Sequence, residues 1–323
     1  MTTTTDFDRH WAEAAACHGR GDEHGAILAL HRAVTARPDD MRALAHLCRT
    51  LYENPALFVP PPAPRPAAPA PLVSVVACSI DPAKFDRVRA SYARAFGADP
   101  WELIGIHDAR SLSEGYARGF AQALGDLVVF SHDDIEILTG GIGAALASAL
   151  AVADVAGLAG TTLLAGPAFA WSGKAHARGR VAEPARGREG VDLVVFNPVP
   201  RVSAGMQALD GVFIAATRRA VELVGFDAVT FDGFHLYDMD FTYRAHLAGL
   251  AVAITPDIVI RHDSTGSFDA KWEGYAARFL AKFPGLLRER QRSDMLRIPF
   301  VRGEEVAAFC ARLDEAGRTA QGV

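Results

Sequence analysis

An α/β protein with a mostly parallel sheet sandwiched by helices, preceded by a small all-α segment, is what this sequence predicts. Three observations carry the prediction. From Leu72 onward, short apolar runs alternate with stretches of helical period, as in sheets covered on both faces. Before Leu57 the apolar residues recur at helical spacing alone. Between the two lies Pro60-Pro61-Pro62-Ala63-Pro64-Arg65-Pro66, whose missing donors and fixed φ suit a semi-rigid spacer. The expected division is a helical segment over 1–58, a Pro/Ala linker over 59–71, an α/β domain over 72–290 and a tail with a short helix over 291–323.

In the first part, Trp11, Ala14, Ala15 and Ala16 share a helix that Gly19-Arg20-Gly21-Asp22 ends. Ala26, Ile27, Leu30 and Val34 mark a second, and Pro38-Asp39-Asp40 opens a third carrying Leu44, Leu47 and Leu51. Small residues facing large ones around a Pro-Asp break resemble about one and a half tetratricopeptide units. Such units bury their faces only against neighbours. The segment is therefore expected to dock on the main domain or to recruit a protein partner; a plain helical cap is the alternative.

In the second part, strands are expected over 72–78, 101–106, 126–130 and 155–159, with helices over 81–96, 113–124 (Ser113 as cap) and 141–150 between them. In such sheets ligands bind beyond the carboxyl ends of the strands. Cys78-Ser79, His107-Asp108 and His132-Asp133-Asp134 stand at those ends. Residues 166–190 lose the pattern to Gly, Ala, Arg and Lys. They read as a long basic loop, either a lid whose Lys174, Arg178 and Arg180 close over phosphates or a plain surface insertion. Apolar stretches follow at 193–196 and 207–216, then a helix from Thr217, one from Asp238 to Gly249, a strand over 252–260 bent at Pro256, a helix over 269–283 and a last amphipathic helix over 303–316.

Length and composition bound the rest. The chain has 323 residues, half of them apolar, enough for one large domain and a small one. A net charge of -5 speaks against nucleic acid as a partner. Cys17, Cys48, Cys78 and Cys310 form no C-x-x-C pair, so reduced thiols are expected and neither a zinc site nor a disulfide frame. The apolar run from Gly141 to Leu158 is broken by Asp154 and falls short of the roughly 20 residues of a span. The amino terminus lacks the pattern of a secretory signal, and a cytoplasmic protein is expected.

Two acidic signals carry the chemistry. Val128-Val129-Phe130-Ser131-His132-Asp133-Asp134-Ile135 is an apolar strand running into carboxylates, and Phe234 to Phe241 sets Asp238 and Asp240 at the mouth of a helix. Arg261-His262-Asp263-Ser264 closes a later strand. A strand-end carboxylate at Asp134 and a neutral imidazole at His262 are a fit donor set for a divalent cation facing a diphosphate. A polar turn capping the strand explains the same acids without a ligand, and Asp133 could accept from a ribose. Asp240 has Arg244 four residues on, an ion-pair spacing. Asp238 has no such partner in sequence and is the candidate general base, against a plain helix-cap carboxylate. Asp210-Gly211 is either a tight turn or a site for sugar hydroxyls.

These pieces, together with Ser111 to Ala121 and Leu209 to Ala215, resemble nucleotide-sugar glycosyltransferases of the GT-A fold. Within that class they resemble the family-2-like bacterial branch related to a streptomycin-biosynthesis protein, over about Leu72 to Phe283. The resemblance implies a Rossmann-like sheet, a nucleotide-diphosphate sugar donor, Mn²⁺ or Mg²⁺, and inversion at the anomeric carbon. It implies Asp134, His132 and His262 at the metal, Asp238 as catalytic base, and Ser79, Asp108, Arg118, Asp133 and Asp210 around the donor. The acceptor (saccharide, lipid-linked or protein) stays open. His132 stands where many relatives carry an acid, Ala117 where asparagine is usual, and Tyr237 where glutamate is frequent. Two rival classes remain, a catalytically silent scaffold of the same fold and a nucleotidyltransferase. The second lacks the glycine-rich basic loop expected after the first strand, where Ser79-Ile80-Asp81-Pro82 stands instead.

Overall fold

A computed structural model describes residues 5–60, 70–264, 266, 268–286 and 294–322. Residues 61–69 of the expected linker lie outside them. Three helices open the chain, α1 (Asp6–Gly19), α2 (Glu23–Ala36) and α3 (Met41–Glu53). The α/β part follows as β1 (Val73–Cys78), α4 (Pro82–Phe96), β2 (Trp101–Ile106), α5 (Leu112–Phe120), β3 (Leu127–Ser131), β4 (Ile135–Ile137), α6 (Ile142–Leu150), β5 (Val155–Gly157) and β6 (Ala159–Thr161). Next come β7 (Ala177–Pro184), β8 (Val191–Val195), β9 (Ser203–Ala204), β10 (Ala208–Leu209), β11 (Phe213–Thr217) and α7 (Arg218–Val224). The chain ends with α8 (Tyr237–Leu247), β12 (Val252–Ile254), β13 (Ile260–His262), α9 (Ala270–Lys282), β14 (Leu296–Phe300) and α10 (Gly303–Gln321).

Local chemistry sets the helix starts. Asp22, Asp40, Asp81, Ser111, Thr217 and Asp269 each accept backbone N–H bonds at an N-cap. Pro82 follows its cap at the first helical position, where no donor is needed. The cap of α5 is Ser111, two residues before the expected Ser113, which is buried inside the helix instead. Ser111 wins because its oxygen accepts from the amide of Glu114 at 3.0 Å.

The main sheet runs β2-β1-β3-β11-β5-β12-β9. β2, β1 and β3 are parallel in register, with Cys78 beside Ile106 and Ala77 beside Ser131. β11 is antiparallel to both β3 and β5, and β12 returns parallel to β5. The expected α/β architecture is what forms, with apolar cores on both faces. A second sheet runs β10-β6-β7-β13-β4, with β8 and β14 continuing from β7. The expected strand over 155–159 is split by Leu158 between the two sheets, as β5 and β6. The expected strand over 252–260 is split by Thr255 to Val259 in the same way, as β12 and β13.

Residues 177–184 of the basic loop expected over 166–190 form β7, and the surroundings of its cations correct the lid reading. Arg180 is buried and pairs with the Asp314 carboxylate of α10 at 2.7 and 2.5 Å. Lys174 is buried too, donating to the carbonyl of Phe196 and the side chain of Asn197. These cations serve the interior. Gly179 has φ +96, and a Cβ there would lie 2.0 Å from the Leu158 carbonyl; only glycine lets the two backbones approach so closely.

The first three helices share one apolar core with β8, β14 and α10. Leu30, Leu44, Leu47 and Leu51 are fully buried there, beside Phe309 and Leu313. The chain itself thus supplies the neighbour that these helices need. All four cysteines are free. No helix among the described residues is long and apolar enough to cross a membrane.

Candidate active site

The register brings the strand ends together. His132 follows β3, and its amide donates to the Val212 carbonyl at 3.2 Å, which places the Asp210–Gly211 turn beside it. β13 runs antiparallel to β4 with His262 opposite Ile135, and the Asp263 amide donates to the Asp134 carbonyl at 2.9 Å. His262 is therefore held against Asp134 by backbone bonds. Its Nε2 lies 3.2 Å from Asp134 Oδ1 and 3.3 Å from His132 Nδ1, and His132 Nδ1 lies 3.8 Å from the same carboxylate oxygen. Among the described residues this is the cluster whose donor atoms could hold a metal ion.

The donor set fits a divalent cation. Ligand atoms about 2.1 Å from one ion stand about 3.0–3.4 Å apart in tetrahedral or octahedral shells. Two of the three separations fall in that range, and the third exceeds it by a few tenths of an ångström. Burial pushes Asp134 up, but the bond and charge of His262 reverse this and hold the carboxyl well below its usual range. Burial alone would lower His262; the Asp134 carboxylate raises it. His132 is lowered, by burial first and by His262 second.

Asp238 stands in the first turn of α8. The cap is Leu236, in the left-handed region at φ 63 with its side chain buried among Leu164, Met239 and Phe279. A non-glycine residue there stores strain. The buried side chain holds the turn that starts α8 with Tyr237 and Asp238 directed to the strand ends. Burial pushes Asp238 up to about 7, helped by the neighbouring Asp210 carboxylate, while the amides of Met239 and Gly211 pull the other way. Asp240 behaves as its spacing predicts, bonded by Arg244 at 2.8 Å and also by Lys282 at 2.6 Å.

A cavity of about 440 Å³ is lined by His132, Asp210, Asp238 and His262 together with Phe169, Phe234, Phe268 and Trp272; Asp134 is not among its lining residues. Phe234 and Phe268 remain more than half exposed. Ser79 and Asp133 meet at 2.6 Å where β1 and β3 end, and are not among the lining residues. Asp108 and Arg118 bind one another at 2.6 Å on the exposed edge and are not among them either. Asp210 caps its own turn, accepting from the Val212 amide at 3.0 Å, so part of its bonding capacity is taken by structure.

One residue here escaped the sequence reading as a site group. Tyr237 is buried, its oxygen 2.8 Å from His132 Nε2 and 3.0 Å from the Gly211 carbonyl. Gly211 leaves room for it, since a Cβ would lie 2.4 Å from the Tyr237 oxygen and 2.8 Å from Asp238 Oδ2. The aromatic lining was invisible for a different reason: its members come from three separated segments, around 169, at 234 and at 268–272.

A family model described as "Glycosyltransferase like family" matches residues 74–283. No curated protein matches the sequence. Among solved structures, the fold overlaps a mannosyltransferase, PcManGT from Pyrobaculum calidifontis in complex with GDP-Man and Mn²⁺. That overlap has 14% identity and a TM-score of 0.41, over 92% of this chain and 86% of that one. It also overlaps S. aureus TarS 1-349 in complex with UDP-GlcNAc, at 11% identity and TM-score 0.40, over 65% and 66% of the two chains. Likenesses this loose carry no weight at the site.

Proposed function

The chain belongs to the glycosyltransferase-like family, and from that premise we propose that it is a metal-dependent enzyme moving a sugar from a nucleotide-diphosphate donor to an acceptor hydroxyl. One observation carries the reading. The two imidazoles of a convergent imidazole–carboxylate–imidazole group line the same cavity as a carboxyl raised to about 7, with Asp134 held behind them against His262.

His132, Asp134 and His262 would hold Mn²⁺ or Mg²⁺. The cation supplies charge neutralisation for the diphosphate as the glycosidic bond breaks. The chain's own residues do the rest. Asp238 takes the proton of the acceptor hydroxyl, and its raised pKa suits a base working near neutrality. Asp210 keeps that pKa high and sets the orientation of the turn. Attack by the activated hydroxyl with the donor's diphosphate leaving in line gives inversion. Asp133, oriented by Ser79, accepts from the donor's ribose, and Asp108 with Arg118 forms the outer edge of the donor site. The aromatic lining borders the approach to Asp238 and receives the acceptor.

The test is thermal unfolding with a panel of nucleoside diphosphates, with and without Mn²⁺. A ligand at 100 times its Kd adds about 2.7 kcal/mol, a shift of several degrees. One nucleotide should stabilise the chain only when Mn²⁺ is present, and Asp134→Ala should abolish the gain. Stabilisation that survives Asp134→Ala, or is indifferent to Mn²⁺, would remove the metal from the mechanism.

A further inference from the structure

We propose that Tyr237 is a positioning residue that fixes His132 in the tautomer able to bind a cation, from the same helical turn that presents Asp238. The proposal rests on the metal-dependent reading above.

The phenol carries a single proton. Its oxygen lies 3.0 Å from the Gly211 carbonyl, which can only accept. The proton belongs on that bond, because among the described residues the carbonyl has no other donor. The same phenol oxygen lies 2.8 Å from His132 Nε2. With its proton committed, it can only accept there, so the imidazole must present N–H at Nε2. A neutral imidazole protonated at Nε2 keeps its lone pair on Nδ1. Nδ1 is the atom 3.3 Å from His262 Nε2 and 3.8 Å from Asp134 Oδ1. The lone pair thus faces the point where the other two donors converge.

The phenol cannot swing away. Tyr237 is 4% exposed, and the ring of Tyr116 packs edge-on against it at 5.5 Å. Tyr116 is itself anchored by its bond to the Ser131 carbonyl. Ligating imidazoles generally donate their second N–H to an oxygen, and losing that partner weakens metal binding about 10–100-fold. Here a neutral phenol takes that part, and its proton is committed to a backbone carbonyl of the neighbouring turn.

The experiment measures Mn²⁺ affinity of the full-length chain, by electron paramagnetic resonance of the free ion, for wild type, Tyr237→Phe, His132→Ala and the double variant. Tyr237→Phe should bind Mn²⁺ about 10–100-fold more weakly, and the double variant no more weakly than His132→Ala. Nitrogen-15 NMR of the metal-free wild type should show His132 protonated at Nε2, a readout that survives if Tyr237→Phe fails to fold. Wild-type affinity in Tyr237→Phe, additive losses in the double variant, or an Nδ1-protonated His132 would each overturn the proposal alone. A wild-type chain that binds no Mn²⁺ would instead sink the metal-dependent reading, and this proposal with it.

Discussion

Asp238→Asn should leave the protein more stable at neutral pH while removing turnover. The carboxyl is raised from 3.8 to about 7, so the folded chain holds its proton over a range where the unfolded chain has released it. The sign follows from linkage: stability falls as pH rises from about 4 through 7. The penalty is absent below the unfolded pKa and full above the folded one. A rise of this size corresponds to on the order of 4 kcal/mol at most, and the solvent contact that Asp238 retains lowers the yield. Asparagine cannot ionise, keeps an oxygen for the Met239 and Gly211 amides, and offers an N–H to Asp210. The variant's advantage should therefore open between pH 5 and 8, at about 1.5 °C of Tm per kcal/mol for a chain of this length. Urea or thermal unfolding in a chelator, at several pH values, measures it. In the same comparison kcat should fall about 10²–10⁴-fold, the usual contribution of a positioned base. The wild-type rate should rise with pH toward 7, and a bound cation should move that limb lower by favouring the carboxylate. A variant that is equally stabilised at pH 5 and 8, or destabilised at pH 8, would refute the electrostatic account of this residue.

Two further perturbations probe the scaffold and the pocket. Asp314→Ala strands the buried Arg180 guanidinium and should cost about 3–5 kcal/mol by urea unfolding, whereas joint replacement by Arg180→Met and Asp314→Leu should recover most of it; equal losses would show the pair is not coupled. Gly211→Ala sets a methyl 2.4 Å from the Tyr237 oxygen and 2.7 Å from Asp238 Cβ; overpacking of this kind costs about 1–3 kcal/mol, and kcat and Mn²⁺ affinity should fall together in kinetic and binding assays.

Much of the central sheet was legible because it is buried on both faces. Val73, Val75 and Val76 of β1 and Val128, Val129 and Phe130 of β3 have no exposed surface, so the interior demands unbroken apolar runs. The second sheet was not legible. Its β4, β6, β10 and β13 are two or three residues long, too short to show a period. In β7, Arg178 and Arg180 read as a solvated charge run because the partner that neutralises Arg180 lies 134 residues away. The candidate metal donors and the candidate base could be named because each closes an apolar run or opens a helix. Tyr237 could not, since its bond to Gly211 spans 26 residues and depends on the backbone turn at Leu236.

The short sequence between the two sheets shows how two adjacent acids come to face different neighbours. β3 belongs to the first sheet and β4 to the second, so His132, Asp133 and Asp134 form the crossing between them. Side chains of extended backbone alternate in direction. His132 and Asp134 accordingly turn to one side, where both meet His262. Asp133 turns to the other, where Ser79 donates to it at 2.6 Å. The phase of the alternation is fixed by the Val212 carbonyl at His132 and by the Asp263 amide at Asp134. A one-residue slip would exchange the sides, leaving a carboxylate and no imidazole from this strand facing His262. The register of three short strands, more than the acidity of the motif, decides which aspartate faces His262 and which faces Ser79.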